Sequence, residues 1–133
     1  MDKAMMGKAI LGARITLGLI FFVFGLNGIL LFLKGPLPPG DAGTFLTIMM
    51  EHGYSDVVAV LQLIAGLLLL VGRYVPLALA TLAPILVNIL LFHVLIMHGG
   101  GWMGLFATVL LLFLLWVYRL SFRGLLDAAP EVS

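Results

Sequence analysis

Apolar residues fall in four long stretches along the chain, separated by short polar or glycine-rich segments. The first, from Ile15 to Leu33, holds 19 residues without a charge. At 1.5 Å rise per residue, a helix of that length spans roughly 28 Å, close to one hydrocarbon core. The pattern predicts an all-α membrane protein, an antiparallel bundle of four transmembrane helices over residues 13–33, 55–72, 75–97 and 102–118.

The second and third helices are predicted to form a tight antiparallel hairpin. Only Arg73 and Tyr74 separate their apolar stretches. Pro76 fits the first turn of the third helix, where a backbone N–H is not needed.

On the first helix, Gly18, Gly25 and Gly28 share one face, which is typical of close packing between membrane helices.

The one long connection, residues 34–56, is predicted to contain a short helix at the membrane rim. Asp41 is a candidate N-cap and Gly53 a candidate terminator, and the stretch 42–52 between them is amphipathic. This rim helix is either a plain interfacial connection or a lid over a cavity between the spans.

Composition excludes several classes of protein. Hydrophobic residues make up 63% of the chain and charged residues 10%, against about 45–50% and about 25% in soluble domains. A water-soluble globule is therefore excluded. The chain has no cysteine, so disulfides, thiolate metal sites and thiol nucleophiles are excluded too. A formal net charge of +1 is too small for a nucleic-acid partner.

Basic residues orient the predicted bundle. Six of the seven Lys and Arg residues lie in the N-terminal segment, the turn between the second and third spans, or the C-terminal segment. The opposite side holds only Lys34, beside three acidic residues. Because cytoplasmic segments carry the excess of basic residues, both termini are predicted to face the cytoplasm.

Polar side chains within the spans are the candidates for function, because each costs free energy in lipid unless it is paired. The candidate ligand-binding residues are Asn27, Gln62, Asn88 and His93, with Arg14 at the cytoplasmic rim. The amides either tie helices together by hydrogen bonds or contact a ligand. Arg14 either extends to the membrane surface or pairs within the bundle.

The three amides are predicted to line one shared cavity near the middle of the membrane. Counted along the helices from the hairpin turn, Gln62 and Asn88 lie at depths that agree within about 5 Å, and Asn27 lies slightly further out. Pro84, one turn before Asn88, cannot donate to the carbonyl of Ala80, which makes this part of the helix more polar.

No catalytic constellation and no metal site are predicted. His93 and His98 lie five residues apart, not the three or four that place two ligands on one helical face. No carboxylate lies inside a span, which disfavours an ion or proton transporter.

Glycines, prolines and polar residues recur in a set order within the apolar stretches. The segments that carry this order are ARI at 13–15, GLIF at 18–21, FGLN at 24–27, LQLIAGLLLLVGRYVPLA at 61–78 and APILVNILLFH at 83–93. In these segments the chain resembles the DoxX family of small bacterial membrane proteins, over residues 13–123. It carries Gln62 where many members of that family have glutamate.

The resemblance implies a four-helix bundle and an association with respiratory or redox complexes. The leading hypothesis is an accessory subunit of such a complex, itself without catalytic residues, that binds a quinone or another apolar ligand non-covalently between its helices. Its other partners would be the lipid bilayer and further membrane or redox proteins, and a homo-oligomer is compatible with the same pattern. The alternative is a membrane chaperone or adaptor that holds other membrane proteins.

Reporter fusions test the predicted topology. A reporter that is active only in the periplasm should be inactive when fused at Ser133 and active when placed within residues 36–40, because the basic residues hold both termini in the cytoplasm. The measurement is reporter activity in whole cells, normalised to the amount of fusion protein. Activity at Ser133 would contradict the predicted orientation.

Overall fold

The computed structural model describes residues 2–31 and 35–133, and all of its regular structure there is helical. Five α-helices follow one another: α1 (Lys3–Leu30), α2 (Asp41–Glu51), α3 (Tyr54–Val71), α4 (Val75–Leu91) and α5 (Trp102–Val117). A π-helical turn, Phe92–Met97, extends α4, and a 3₁₀ segment, Arg119–Leu126, follows α5. The predicted all-α class is confirmed.

Helix α1 begins ten residues before the predicted first span because it is capped there. Asp2 precedes the helix, and its carboxylate accepts a hydrogen bond from the Met5 N–H at 2.8 Å. At the other end, Leu31 adopts a left-handed conformation and its N–H donates to the Asn27 carbonyl at 2.7 Å. The last two residues of the predicted span, and Lys34, lie outside the described residues.

The predicted rim segment is a helix, α2, but the prediction that Asp41 caps it is wrong. Gly40 precedes the helix with a φ of 71°, a conformation that glycine adopts without steric cost. Asp41 is instead the first helical residue, where its negative charge favours the helix N-terminus. His52 and then Gly53, with a φ of 73°, end the helix.

The hairpin between α3 and α4 is as tight as predicted. Gly72 ends α3 with a φ of 76°, and its N–H donates to the Leu68 carbonyl at 2.9 Å. Tyr74 is also left-handed, and α4 starts at the next residue with Pro76 in its first turn. Two residues in positive-φ conformations therefore reverse the chain.

Three described helices are long and apolar enough to cross a membrane: Lys3–Leu30, Tyr54–Val71 and Val75–Met97. A fourth helix reaches that length only when Trp102–Val117 is taken together with Arg119–Leu126, and these two are bent by 80°. At the bend, the Arg119 guanidinium lies 4.8 Å from the centre of the Trp116 ring and donates to the Trp116 carbonyl at 2.7 Å.

Helices α1 and α3 make the most extensive contact in the molecule. Their backbones approach so closely that a Cβ added at Gly66 would lie 2.8 Å from the Gly18 oxygen, and one at Gly25 would lie 2.7 Å from the Ala59 oxygen. A Cβ at Gly28 would lie 2.7 Å from the Ala59 Cβ. The predicted close-packing face of α1 is therefore confirmed, and α3 is its partner.

The core lies between four helices, each of which packs against two others: α1 against α3 and α5, and α4 against α3 and α5. Its fully buried large side chains are Leu17, Phe21, Leu69, Leu79, Leu82, Leu86 and Leu114.

Leucine and valine side chains also cover the outer surface; Leu112, for example, is 60% exposed. No polar or charged residue is buried among the described residues. An apolar exterior of this kind suits a membrane protein.

Substituting alanine at Gly25 tests the close α1–α3 contact. The added methyl group would meet the backbone of α3, and we expect it to lower the free energy of unfolding by about 1–3 kcal/mol. Gly12→Ala is the matched control on the same helix, because a Cβ there meets nothing within 4 Å.

This control should leave stability unchanged or raise it by about 0.5–1 kcal/mol, since alanine favours a helix over glycine. The measurement is denaturant-induced unfolding in mixed micelles. Equal effects of the two substitutions would contradict the packing described here.

Candidate functional site

A cleft of about 550 Å³ opens between α2, α3, α4 and the π-helical turn. Fifteen described residues line it, and eleven of them are apolar. The four polar ones are Tyr54, Gln62, Asn88 and His93. A largely apolar cleft with a few polar groups is the usual form of a binding site for a small apolar molecule.

One wall of the cleft is formed by residues of α4 and of the π-helical turn that follows it. Pro84, Asn88, Phe92 and Leu95 all line it. The Asn88 amide group donates to the Pro84 carbonyl at 2.9 Å, which fixes the orientation of that side chain. Thr81, three residues before Pro84, does not reach the cleft and donates instead to the Leu77 carbonyl at 2.9 Å.

Gln62 lines the opposite wall, on α3. It is half-buried and lies among the small residues of that helix, of which Ala59 and Ala65 are buried. Gln62 and Asn88 therefore share one cleft, in the arrangement that their matched depths along the hairpin predict. Their part in binding a ligand stays a prediction.

His93 stands at the start of the π-helical turn, where three contacts hold its ring. Its Nδ1 lies 2.8 Å from the Ile89 carbonyl oxygen. The Phe92 ring meets it edge-on, with 5.2 Å between ring centres and 86° between planes. On another side a Cβ added at Gly101 would lie 3.0 Å from the His93 Cγ. The imidazole is thus positioned by its own helix and by the turn that leads into α5.

A second, smaller cavity of about 190 Å³ lies between α1, α4 and α5. Phe21, Phe24 and Met103 are among its lining residues. Ile89 and His93 line both this cavity and the larger cleft. Ile89 and His93 therefore lie at the boundary of both the cleft and the smaller cavity.

Helix α2 forms the outer wall of the cleft through Phe45, Leu46 and Met49. The Phe45 ring lies 5.5 Å from the Phe92 ring, centre to centre. Sequence reasoning did not place α2 on any particular helix, because the Phe45–Phe92 contact joins residues far apart in the chain. The amphipathic pattern of α2 was the only signal for this wall.

Two of the predicted site residues do not reach the cleft. The prediction that Asn27 lines it together with Gln62 and Asn88 is wrong, because the cleft has no lining residue from α1. Helix α1 packs against α3 and α5, whereas the cleft opens beside α4 and α2.

Arg14 also lies away from the cleft. Its half-buried guanidinium sits against Gly72, where an added Cβ would collide with it. Gly72 ends α3, so the positive charge lies at a helix C-terminus, where the helix dipole favours it. Arg14, on α1, therefore packs against the turn between α3 and α4.

Metal binding finds no support in the described part of the chain, since no three His, Asp or Glu side chains there come together as ligands. The cleft instead presents amide, imidazole and phenol groups on apolar walls. Such groups bind by hydrogen bonds and by apolar contact.

These features define a small all-helical protein with several helices apolar enough for a membrane and one principal cleft among the described residues. Over 125 residues the chain is 31% identical to the uncharacterized protein YwoB of Bacillus subtilis (strain 168), covering 88% of this chain and 81% of that protein. The chain belongs to the same family as that protein. No family model matches the sequence. No solved structure matches it either.

Alanine at Gly101 tests the positioning of His93. This glycine has a φ of 81°, and a Cβ there would press on the imidazole, so we expect Gly101→Ala to displace the ring. The left-handed conformation should cost a further 1–2 kcal/mol or so of stability. Gly99→Ala is the control, because a Cβ there meets nothing within 4 Å.

The measurement is the NMR chemical shift of isotope-labelled imidazole groups. The His93 signals should move in Gly101→Ala and stay in place in Gly99→Ala. Unchanged His93 signals in both variants would contradict the contact.

Proposed function

We propose that this chain is a four-span protein of the bacterial inner membrane that binds a quinone or a similar apolar molecule in the cleft between α2, α3 and α4. The observation that carries the proposal is the cleft itself, with Gln62 and Asn88 on facing helices and His93 beside them. Its volume of about 550 Å³ lies within the range of sites for small molecules.

Hydrogen-bonding capacity in the cleft supports a ligand with a polar head and an apolar body. The amides of Gln62 and Asn88 offer both donors and acceptors, and the ring nitrogens of His93 add to them. In a membrane these groups favour a partner, because an unpaired amide in apolar surroundings is costly. The aromatic rings of Phe45 and Phe92 on the wall suit a flat ring.

The four-span arrangement is supported by the contacts of the long helices and by the C-terminal bend. Helix α5 has 16 residues, or roughly 24 Å, enough to cross a thin part of a bilayer. We propose that the 3₁₀ segment then lies along the cytoplasmic surface. Trp116 and Arg119 at the bend are residues that prefer this surface.

Within a membrane redox complex, such a protein would be an accessory subunit that holds the ligand rather than transforms it. The resemblance to the DoxX family motivates this role and stays a prediction, as does any homo-oligomer. The chaperone or adaptor role would need an exposed groove of small residues for a partner's helix. On α1 that face, at Gly18, Gly25 and Gly28, is already filled by α3.

Leucine substitutions in the cleft test the proposal. Gln62→Leu and Asn88→Leu, made separately, should remove most of the co-purifying apolar ligand, because each deletes a polar contact and adds bulk to the cleft. Mass spectrometry of small molecules extracted from protein purified in mild detergent is the measurement.

The control is Thr81→Val, which lies on the same helix as Asn88 and outside the cleft. It should retain the ligand. If both cleft variants kept as much ligand as the control, the cleft would not be the binding site.

A further inference from the structure

We propose that the cleft selects an apolar ligand whose head donates a hydrogen bond from a hydroxyl group, such as a hydroquinone rather than a quinone. This inference rests on the proposed function and specifies its ligand class. It follows from which atoms of His93 and Asn88 are already engaged within the protein.

The tautomer of His93 is set by its contact with its own helix. The Nδ1 atom lies 2.8 Å from the Ile89 carbonyl oxygen. Because a carbonyl oxygen only accepts hydrogen bonds, Nδ1 must carry the proton. In the neutral ring, Nε2 then has no proton and offers a lone pair. His93 therefore presents a hydrogen-bond acceptor at Nε2.

The position of the ring leaves Nε2 for a ligand. Nδ1 is held against the helix backbone, and Gly101 lies against Cγ and Cδ2 at 3.0 Å and 3.4 Å from its added Cβ. Phe92 lies edge-on to the ring. Nε2 is then the ring nitrogen left for a ligand of the cleft, which His93 lines.

Asn88 adds a second acceptor. Its Nδ2 donates to the Pro84 carbonyl at 2.9 Å, so one of its donors is used and its orientation is fixed with Oδ1 outside that bond. Gln62 on the facing wall carries both a donor and an acceptor and sets no preference. The second N–H of Asn88 and the Tyr54 hydroxyl, like the Gln62 amide, can also donate, so the preference for a ligand that donates comes from Nε2 of His93.

A hydroxyl head satisfies this arrangement, whereas a carbonyl head would place an oxygen lone pair against the lone pair of Nε2. The size of the preference is set by one neutral hydrogen bond that a hydroxyl head makes and a carbonyl head does not. An affinity ratio of tenfold corresponds to about 1.4 kcal/mol. We therefore expect roughly tenfold preference for the hydroxyl form.

The test uses the full chain in lipid nanodiscs and three probes that share one decyl chain. These are decylhydroquinone, decylbenzoquinone and the dimethyl ether of decylhydroquinone, each titrated calorimetrically under argon. Decylhydroquinone should bind about tenfold more tightly than either of the other two. Comparable binding of all three would overturn this inference and leave the proposed function standing. Binding of none of them would overturn both.

A fourth probe, 1-decanol, separates two sources of a hydroxyl head. Affinity equal to that of decylhydroquinone would identify a long-chain alcohol or a glyceride head as sufficient. A clear loss of affinity would show that the aromatic ring is also recognised. Either result upholds a hydroxyl donor, provided that decylhydroquinone outranks its ether.

Substitution at His93 locates the acceptor. His93→Phe keeps a planar ring and removes Nε2, so the affinity for decylhydroquinone should fall to that for the ether, while the affinity for the ether stays unchanged. His52→Phe is the matched control, since His52 is exposed outside the cleft, and it should keep the tenfold ratio. An unchanged ratio in His93→Phe would overturn the assignment. If that variant does not fold, the three-probe ratio of the unsubstituted protein decides.

Discussion

The close backbone contact between α1 and α3 sets the positions of the neighbouring helices. In lipid, helices gain little from burying apolar surface, so they associate where small residues let their atoms approach. Gly25 and Gly66 provide this approach, and neither has room for a side chain. The contact fixes α3, and through the three-residue turn of Gly72, Arg73 and Tyr74 it also fixes α4 beside it.

The walls of the cleft result from this arrangement and from irregular backbone on α4. Pro84 removes one backbone donor in mid-helix, and the helix changes to π geometry at Phe92. Such irregular turns are frequent at functional sites, because they present side chains that a regular helix would turn elsewhere. Here His93 stands at the change, between the larger cleft and the smaller cavity.

Small polar groups define the chemistry of the site more than charge does. Among the described residues that line the cleft, the ionisable ones are Tyr54 and His93, and none of these residues is a carboxylate. Binding there depends on which donors and acceptors remain after the protein has used its own. The bond of His93 to Ile89 matters for that reason, since it engages the donor of the neutral ring and leaves an acceptor. The bond of Asn88 to Pro84 engages one of its two amide N–H groups.

Hydropathy and residue spacing along the chain were sufficient to predict the helical class, the tight hairpin and the two amides, Gln62 and Asn88, that line one cleft. These are local properties: hydropathy fixes which stretches form apolar helices, and the length of a turn together with 1.5 Å per residue fixes relative depth. The glycine face of α1 was also visible, because helical periodicity places Gly18 and Gly25 on one side.

Which helices are neighbours depends on packing between distant segments of the chain, and this is why the prediction for Asn27 was wrong. Depth along a helix places a residue at a level of the membrane but not at an azimuth around the bundle. Helix α1 turned out to lie against α3 and α5, away from the cleft, and α2 against α3 and the π-helical turn. The Phe45–Phe92 contact and the place of Arg14 at the α3–α4 turn depend on packing between distant segments. The pattern of side chains within one stretch of sequence does not reveal such packing between distant segments.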